Sequence, residues 1–166
     1  MQRFLGSVFI ILSCSGLGFE KANELNRHVK QLEELKKIFT MLQSELRYHK
    51  ISFSELFDIV SQKTDGIFRK WMQTLSENLS GHGNGTFQDI WIQSIEESFQ
   101  YSGLKKEEIE ELKCLGTSLG YLESIGLYLE QLEIMIQNAR NETIHLKKLY
   151  QSIGILGGIF LVIILL

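Results

Sequence analysis

Residues 20–50 read EKANELNRHVKQLEELKKIFTMLQSELRYHK, and the spacing of their apolar side chains decides the fold. Leu25, Leu32, Phe39 and Leu46 recur every seven residues, and His28, Leu35, Leu42 and His49 hold a second position of the same repeat. Such a repeat lays one stripe along one face of a helix. No Pro or Gly interrupts the chain between Gly18 and residue 50, so the pattern predicts one long first helix over 20–50, more than ~40 Å in length. Three heptads stand near the threshold for a coiled coil. A long bundle helix packing on its own domain is favoured over an intermolecular one. The chain has no proline in 166 residues, where ordinary usage of ~5% would supply about eight. Proline breaks helices and is favoured in turns, so its absence extends the expectation of long helices to the whole chain.

Composition narrows the function classes. Apolar residues at 44% and charged residues at 22% exclude a disordered chain. Seventeen basic against twenty acidic residues leave no positive surplus for nucleic acid. Cys14 and Cys114 stand a hundred residues apart, too few and too distant to form a disulfide framework or a zinc site.

The apolar residues gather at the two ends. Phe4 to Phe19, FLGSVFIILSCSGLGF, carries no charge, and Ile153 to Leu166, IGILGGIFLVIILL, is lengthened by the uncharged residues from Leu149. At 1.5 Å per residue these runs cover about 24 and 27 Å, short but sufficient against a hydrocarbon core of about 30 Å. They predict transmembrane helices at 4–19 and 151–166. A cleaved signal competes for the first run, since Arg3 supplies an n-region and Ile11-Leu12-Ser13-Cys14 is shaped like a lipoprotein cleavage box. The bulky Leu12 and the apolar run beyond Cys14 favour a retained anchor. Lys21, Arg27, Lys30, Arg140, Lys147 and Lys148 flank the spans on the domain side. The positive-inside rule then places residues 20–150 in the cytoplasm and both termini outside. Gly154 and Gly158 form a G-x-x-x-G, and Cys14 and Gly18 share that spacing. Small residues so placed let helices approach in lipid, so Gly154 and Gly158 are candidate packing positions within the membrane.

Between the ends, Ser52-Phe53-Ser54-Glu55 has capping-box spacing and starts a second helix reaching about Gln62. Asp65-Gly66 breaks the chain. Ile67, Phe68, Trp71, Met72, Leu75 and Leu79 mark the buried side of a third helix. Gly81 to Gly85 form a loop, and Thr86 caps a fourth helix with Phe87, Ile90, Trp91, Ile95 and Phe99 inward. It is expected to end at Ser102-Gly103. A fifth is predicted over about Leu104–Leu119 with Lys105-Lys106-Glu107-Glu108 on its wet side and Gly116 and Gly120 bracketing its end, and a sixth from about Tyr121 to Tyr150, leading into the second span. The fold class is all-α, a six-helix cytoplasmic bundle between two transmembrane helices.

No motif composes a catalytic set. Glu142-x-x-His145 is half of a di-iron motif, but Glu24 and His28 have the wrong spacing to complete it, so a solvated helix face is expected. Gly81-His82-Gly83-Asn84-Gly85-Thr86 lacks the lysine and preceding strand of a phosphate loop. His28 and His49 read as polar breaks in the apolar stripe, and Cys114 as a structural thiol. The sequons at Asn78, Asn84 and Asn141 would stay unused in the cytoplasm. No metal, cofactor or enzymatic activity is expected.

Several stretches then fall into a recognisable order. They are the apolar run ending Gly18-Phe19, then Arg27, Gln31-Leu32 to Leu42, and Leu42-Gln43-Ser44-Glu45-Leu46-Arg47-Tyr48. Trp91 follows, then Leu104-Lys105-Lys106-Glu107-Glu108 running into Leu115-Gly116-Thr117-Ser118-Leu119-Gly120, and the glycine-bearing apolar terminus. In this order the chain resembles, end to end, the stage III sporulation protein AB family of endospore-forming bacteria. Leu42 to Tyr48 is similar to that family's L-x-x-E-I-x-Y. Ile51-Ser52 stands where the family usually has Thr-Pro. The family's L-G-x-x-D appears as Leu119-Gly120-Tyr121-Leu122-Glu123, with Leu127 where a glutamine often follows.

The resemblance implies a non-enzymatic membrane platform whose helical domain is similar to the cytoplasmic domains of type II secretion F proteins. Its partners would be a cytoplasmic ATPase like the stage III sporulation protein AA and the other proteins of the mother cell–forespore channel. Its place would be the mother-cell membrane around the forespore. Glu45, Tyr48, Gly120 and Glu123, where the family motifs match, are the candidate partner-binding residues; packing of helix ends is the competing role for Tyr48 and Gly120. The alternative is a membrane-anchored scaffold, a homo-oligomer associating through the Leu25–Leu46 heptads without an ATPase.

Overall fold

A computed structural model describes the backbone of residues 2–49, 51–81 and 85–165, together with their side chains except at 2–12, 14, 15, 17, 18, 151, 154, 155, 158, 161, 164 and 165. Among the described residues every regular element is a helix: α1 (Gln2–Tyr48), α2 (Phe53–Gln62), α3 (Gly66–Ser80), α4 (Phe87–Phe99), α5 (Lys106–Leu115) and α6 (Leu122–Leu165). The chain divides into two compact units. One comprises residues 1–30 and 136–166, the other residues 31–135.

The second unit holds α2 to α5 and the adjoining parts of α1 and α6. Its helices begin where local chemistry satisfies their first amides. The Ser52 hydroxyl accepts from Glu55 N at 3.3 Å. Thr86 and Asp89 cap α4 reciprocally: the Thr86 hydroxyl accepts from Asp89 N at 3.3 Å, and Thr86 N donates to the Asp89 carboxylate at 3.0 Å. The Thr86 hydroxyl, which donates to the Asp89 carboxylate at 2.7 Å, and then the Thr86 N–H hold that carboxyl below its ordinary range. Gly66, at the start of α3, has φ +59°, a conformation that costs a side-chain-bearing residue about 1–2 kcal/mol.

A run of aromatic rings joins these helices. Phe53 and Phe57 of α2 stack on Phe87 of α4, and Phe57 also meets Trp91. Trp91 meets Trp71 of α3 at 5.2 Å between ring centroids, and Trp71 meets Phe99 edge-on at 5.0 Å. Both indoles are buried and both N–H groups are satisfied: Trp71 Nε1 donates to the Ser94 hydroxyl at 3.0 Å, and Trp91 Nε1 to the Leu112 carbonyl at 2.9 Å.

Against this core α1 lays Leu32, Leu35, Ile38, Phe39 and Leu42, all fully buried. The part of α6 within this unit runs antiparallel to α1. Lys36 pairs with Glu133, Phe39 meets Tyr128 edge-on at 4.8 Å, and Gln43 Nε2 reaches the Leu122 carbonyl at 3.5 Å. The heptad stripe is therefore occupied inside the chain. Self-association through it, the alternative expected from sequence, is overturned for Leu32, Leu35, Phe39 and Leu42, which have no surface to offer. Leu25 and Leu46 are half-buried and His49 is exposed.

Two boundaries differ from expectation. α4 stops at Phe99, before Ser102-Gly103, with a turn closed by Ser102 N on the Phe99 carbonyl. α5 is shorter than the predicted 104–119. After Leu115 the amides of Gly116, Thr117 and Ser118 bond three residues back, and the chain turns toward α6. The cause is tertiary: Gly116 lies on the face of Trp91, so close that a Cβ there would sit 2.2 Å from Cδ1. Glu108 is also not on the wet side. It is buried, and its carboxylate accepts from Lys105 N at 2.8 Å, completing the helix start.

In the first unit Ala22 and His28 of α1 and Ile136, Ala139 and Thr143 of α6 are buried. Lys21 and Glu24 form an exposed pair at 2.5 Å, which raises the lysine pKa and lowers that of the glutamate. Among the described residues no helix is long and apolar enough to cross a membrane. The spans expected at 4–19 and 151–166 fall largely on side chains outside the description, as does the packing of Cys14, Gly18, Gly154 and Gly158.

Gly116→Ala is expected to destabilise the chain by roughly 1–3 kcal/mol through overpacking on Trp91, seen as a lowered melting temperature. An unchanged melting temperature would mean that this close approach is not needed by the fold.

Candidate partner-binding surface

In the second unit Gln43 of α1 reaches Leu122 at the start of α6, and Gly120 lies near Phe53 at the start of α2, so the stretches that carry the motif residues approach one another there. Tyr48 is the last residue of α1 and is 74% exposed. It does not pack the helix end. Glu123 stands exposed in the first turn of α6, where the helix dipole favours a carboxylate. Gly120 is exposed in the connection to α6, and a Cβ on it would come no closer than 4.0 Å to the nearest group, Phe53 Cζ. Its backbone is not in the left-handed region.

Glu45 has a different role from the other three. Its side chain is half-buried and its carboxylate meets Lys63 Nζ at 3.2 Å and His49 Nε2 at 3.7 Å. Lys63 is the residue that closes α2, so Glu45 ties the end of α1 to the end of α2. It positions the surface more than it presents it.

Other residues of this end were not singled out from sequence. Gln43 bonds to Leu122, and its amide would lie 3.3 Å from a Cβ on Gly126, so Gly126 makes room for it. Tyr121 is 71% exposed and Leu127 is 68% exposed. Gln43 lies inside the Leu42–Tyr48 motif and is half-buried, whereas Tyr121, inside the Leu119–Glu123 motif, is exposed. Tyrosines supply large, stiff contact area and are enriched at protein interfaces, and the exposed pair Tyr48 and Tyr121 gives this end that character.

Where α5 faces α6, acidic groups come together without forming a catalytic arrangement. Tyr128 is buried, and its hydroxyl pKa is pushed up first by burial and then by Glu111 and Glu108. Glu111 Oε2 is buried with no hydrogen-bond partner among the described residues. Its carboxyl is shifted above the ordinary range by burial and by Glu108. Among the described residues no group of three or more such side chains could hold a metal ion. Glu142 and His145 are exposed, and so is Cys114, a free thiol.

The second unit is an all-α helical unit in which Tyr48 and Tyr121 are exposed. Residues 3–166 match the family model of stage III sporulation protein AB, and the chain belongs to that family. It is 27% identical to the stage III sporulation protein AB of Bacillus subtilis (strain 168) over 177 residues, covering all of both chains. It is also similar to a solved structure of a stage III sporulation protein AB, with a TM-score of 0.65 and 22% identity over 71% of this chain and 97% of the other.

The raised Glu111 carboxyl makes a signed prediction. The folded state holds this proton more tightly than the unfolded chain, so the group favours folding while protonated. Its cost appears as pH rises through the ordinary carboxylate range toward the raised value. Glu111→Gln should raise stability at neutral pH by about 1 kcal/mol, or roughly 2–4 °C, and flatten the melting temperature between acidic and neutral pH. A lower melting temperature in the variant at neutral pH would contradict this.

Proposed function

We propose that this chain is a non-enzymatic platform subunit of the sporulation mother cell–forespore channel, coupling a cytoplasmic secretion-type ATPase to the membrane part of the complex. Membership in the stage III sporulation protein AB family supports a role in sporulation. The observation that carries the finer reading is the exposed end bearing Tyr48, Tyr121 and Glu123. It lies where α1 stops and α6 starts, and the opposite ends of these same helices are the two apolar terminal runs. In this reading the runs anchor the chain in the mother-cell membrane around the forespore. The helical unit faces the cytoplasm and both termini lie outside. Gly154 and Gly158 pack the anchors, and the tyrosine-bearing end receives the ATPase.

The proposed mechanism is mechanical. α1 is one helix from Gln2 to Tyr48, and α6 is one helix from Leu122 to Leu165. In this reading each helix carries a load from Tyr48 or Glu123 toward its apolar run. Glu45, tied to Lys63, would hold the contact face in register.

A clean deletion in the native host should abolish heat-resistant spores and arrest development after engulfment, with rescue by the intact gene. The double variant Tyr48→Ala, Glu123→Lys should be made at normal level yet fail to rescue. Glycines inserted between Glu20 and Leu25 should fail likewise, whereas the same insertion in the α3–α4 connection should rescue. Normal spore counts from the deletion would overturn the channel assignment. Full rescue by the Glu20–Leu25 insertion would overturn rigid coupling alone.

A further inference from the structure

We draw no further inference here: the strongest candidate, the exposed apolar patch of α6 where Leu127 and Ile134 stand one heptad apart, carries none, because nothing in the structure shows what covers it.

Discussion

The ring of Trp91 meets groups from α2, α3, the end of α5 and its own helix α4, and the helical unit depends on that arrangement. Phe57 and Phe87 flank it, Trp71 crosses it from α3, Gly116 covers its face and its N–H bonds the Leu112 carbonyl. One side chain therefore sets the spacing of α2, α3, α4 and α5. Removing a buried tryptophan costs about 3–5 kcal/mol, a large part of the 5–15 kcal/mol by which domains are stable. The glycine matters as much as the indole, since only a residue without a side chain permits the approach that ends α5 early and turns the chain toward α6.

That turn delivers α6 to α1. The contacts from Lys36–Glu133 through Phe39–Tyr128 to Gln43–Leu122 bring the end of one helix beside the start of the other. The Lys36–Glu133 pair is partly exposed and contributes at most about 1 kcal/mol. Burial of Leu32, Leu35, Ile38, Phe39 and Leu42 does the greater part of the work. Tyr48 and Tyr121 are left exposed by this packing, where α1 ends and α6 begins.

Much of this was legible in the residues. Ser52 and Thr86 announced helix starts that the structure keeps to the residue, because capping is local chemistry. The inward sides of α3 and α4 followed from helical spacing. The end of α5 did not, because Leu112, Leu115 and Leu119 continue a helical pattern past Gly116 and only the contact with Trp91 interrupts it. Glu108 was misread as solvated because its partner, the Lys105 amide, is invisible to a count of charges. In the candidate site Tyr48, Gly120 and Glu123 were found through motif positions, whereas the link from Glu45 to Lys63 joins residues that spacing rules do not connect. Tyr121 lies in the same motif as Gly120 and Glu123, and its exposure follows from where the chain turns into α6, which residue spacing does not reveal.

A single thiol can test the account's central claim, that the helical unit is held on the cytoplasmic side of a membrane by the terminal helices. Cys114 is exposed on α5. In intact vegetative cells made to produce the chain, a membrane-impermeant maleimide should leave Cys114 unlabelled, and it should react once the cells are permeabilised, with the chain remaining in the membrane fraction after an alkaline wash. Labelling of Cys114 in intact cells, or release of the chain into the soluble fraction, would contradict the account.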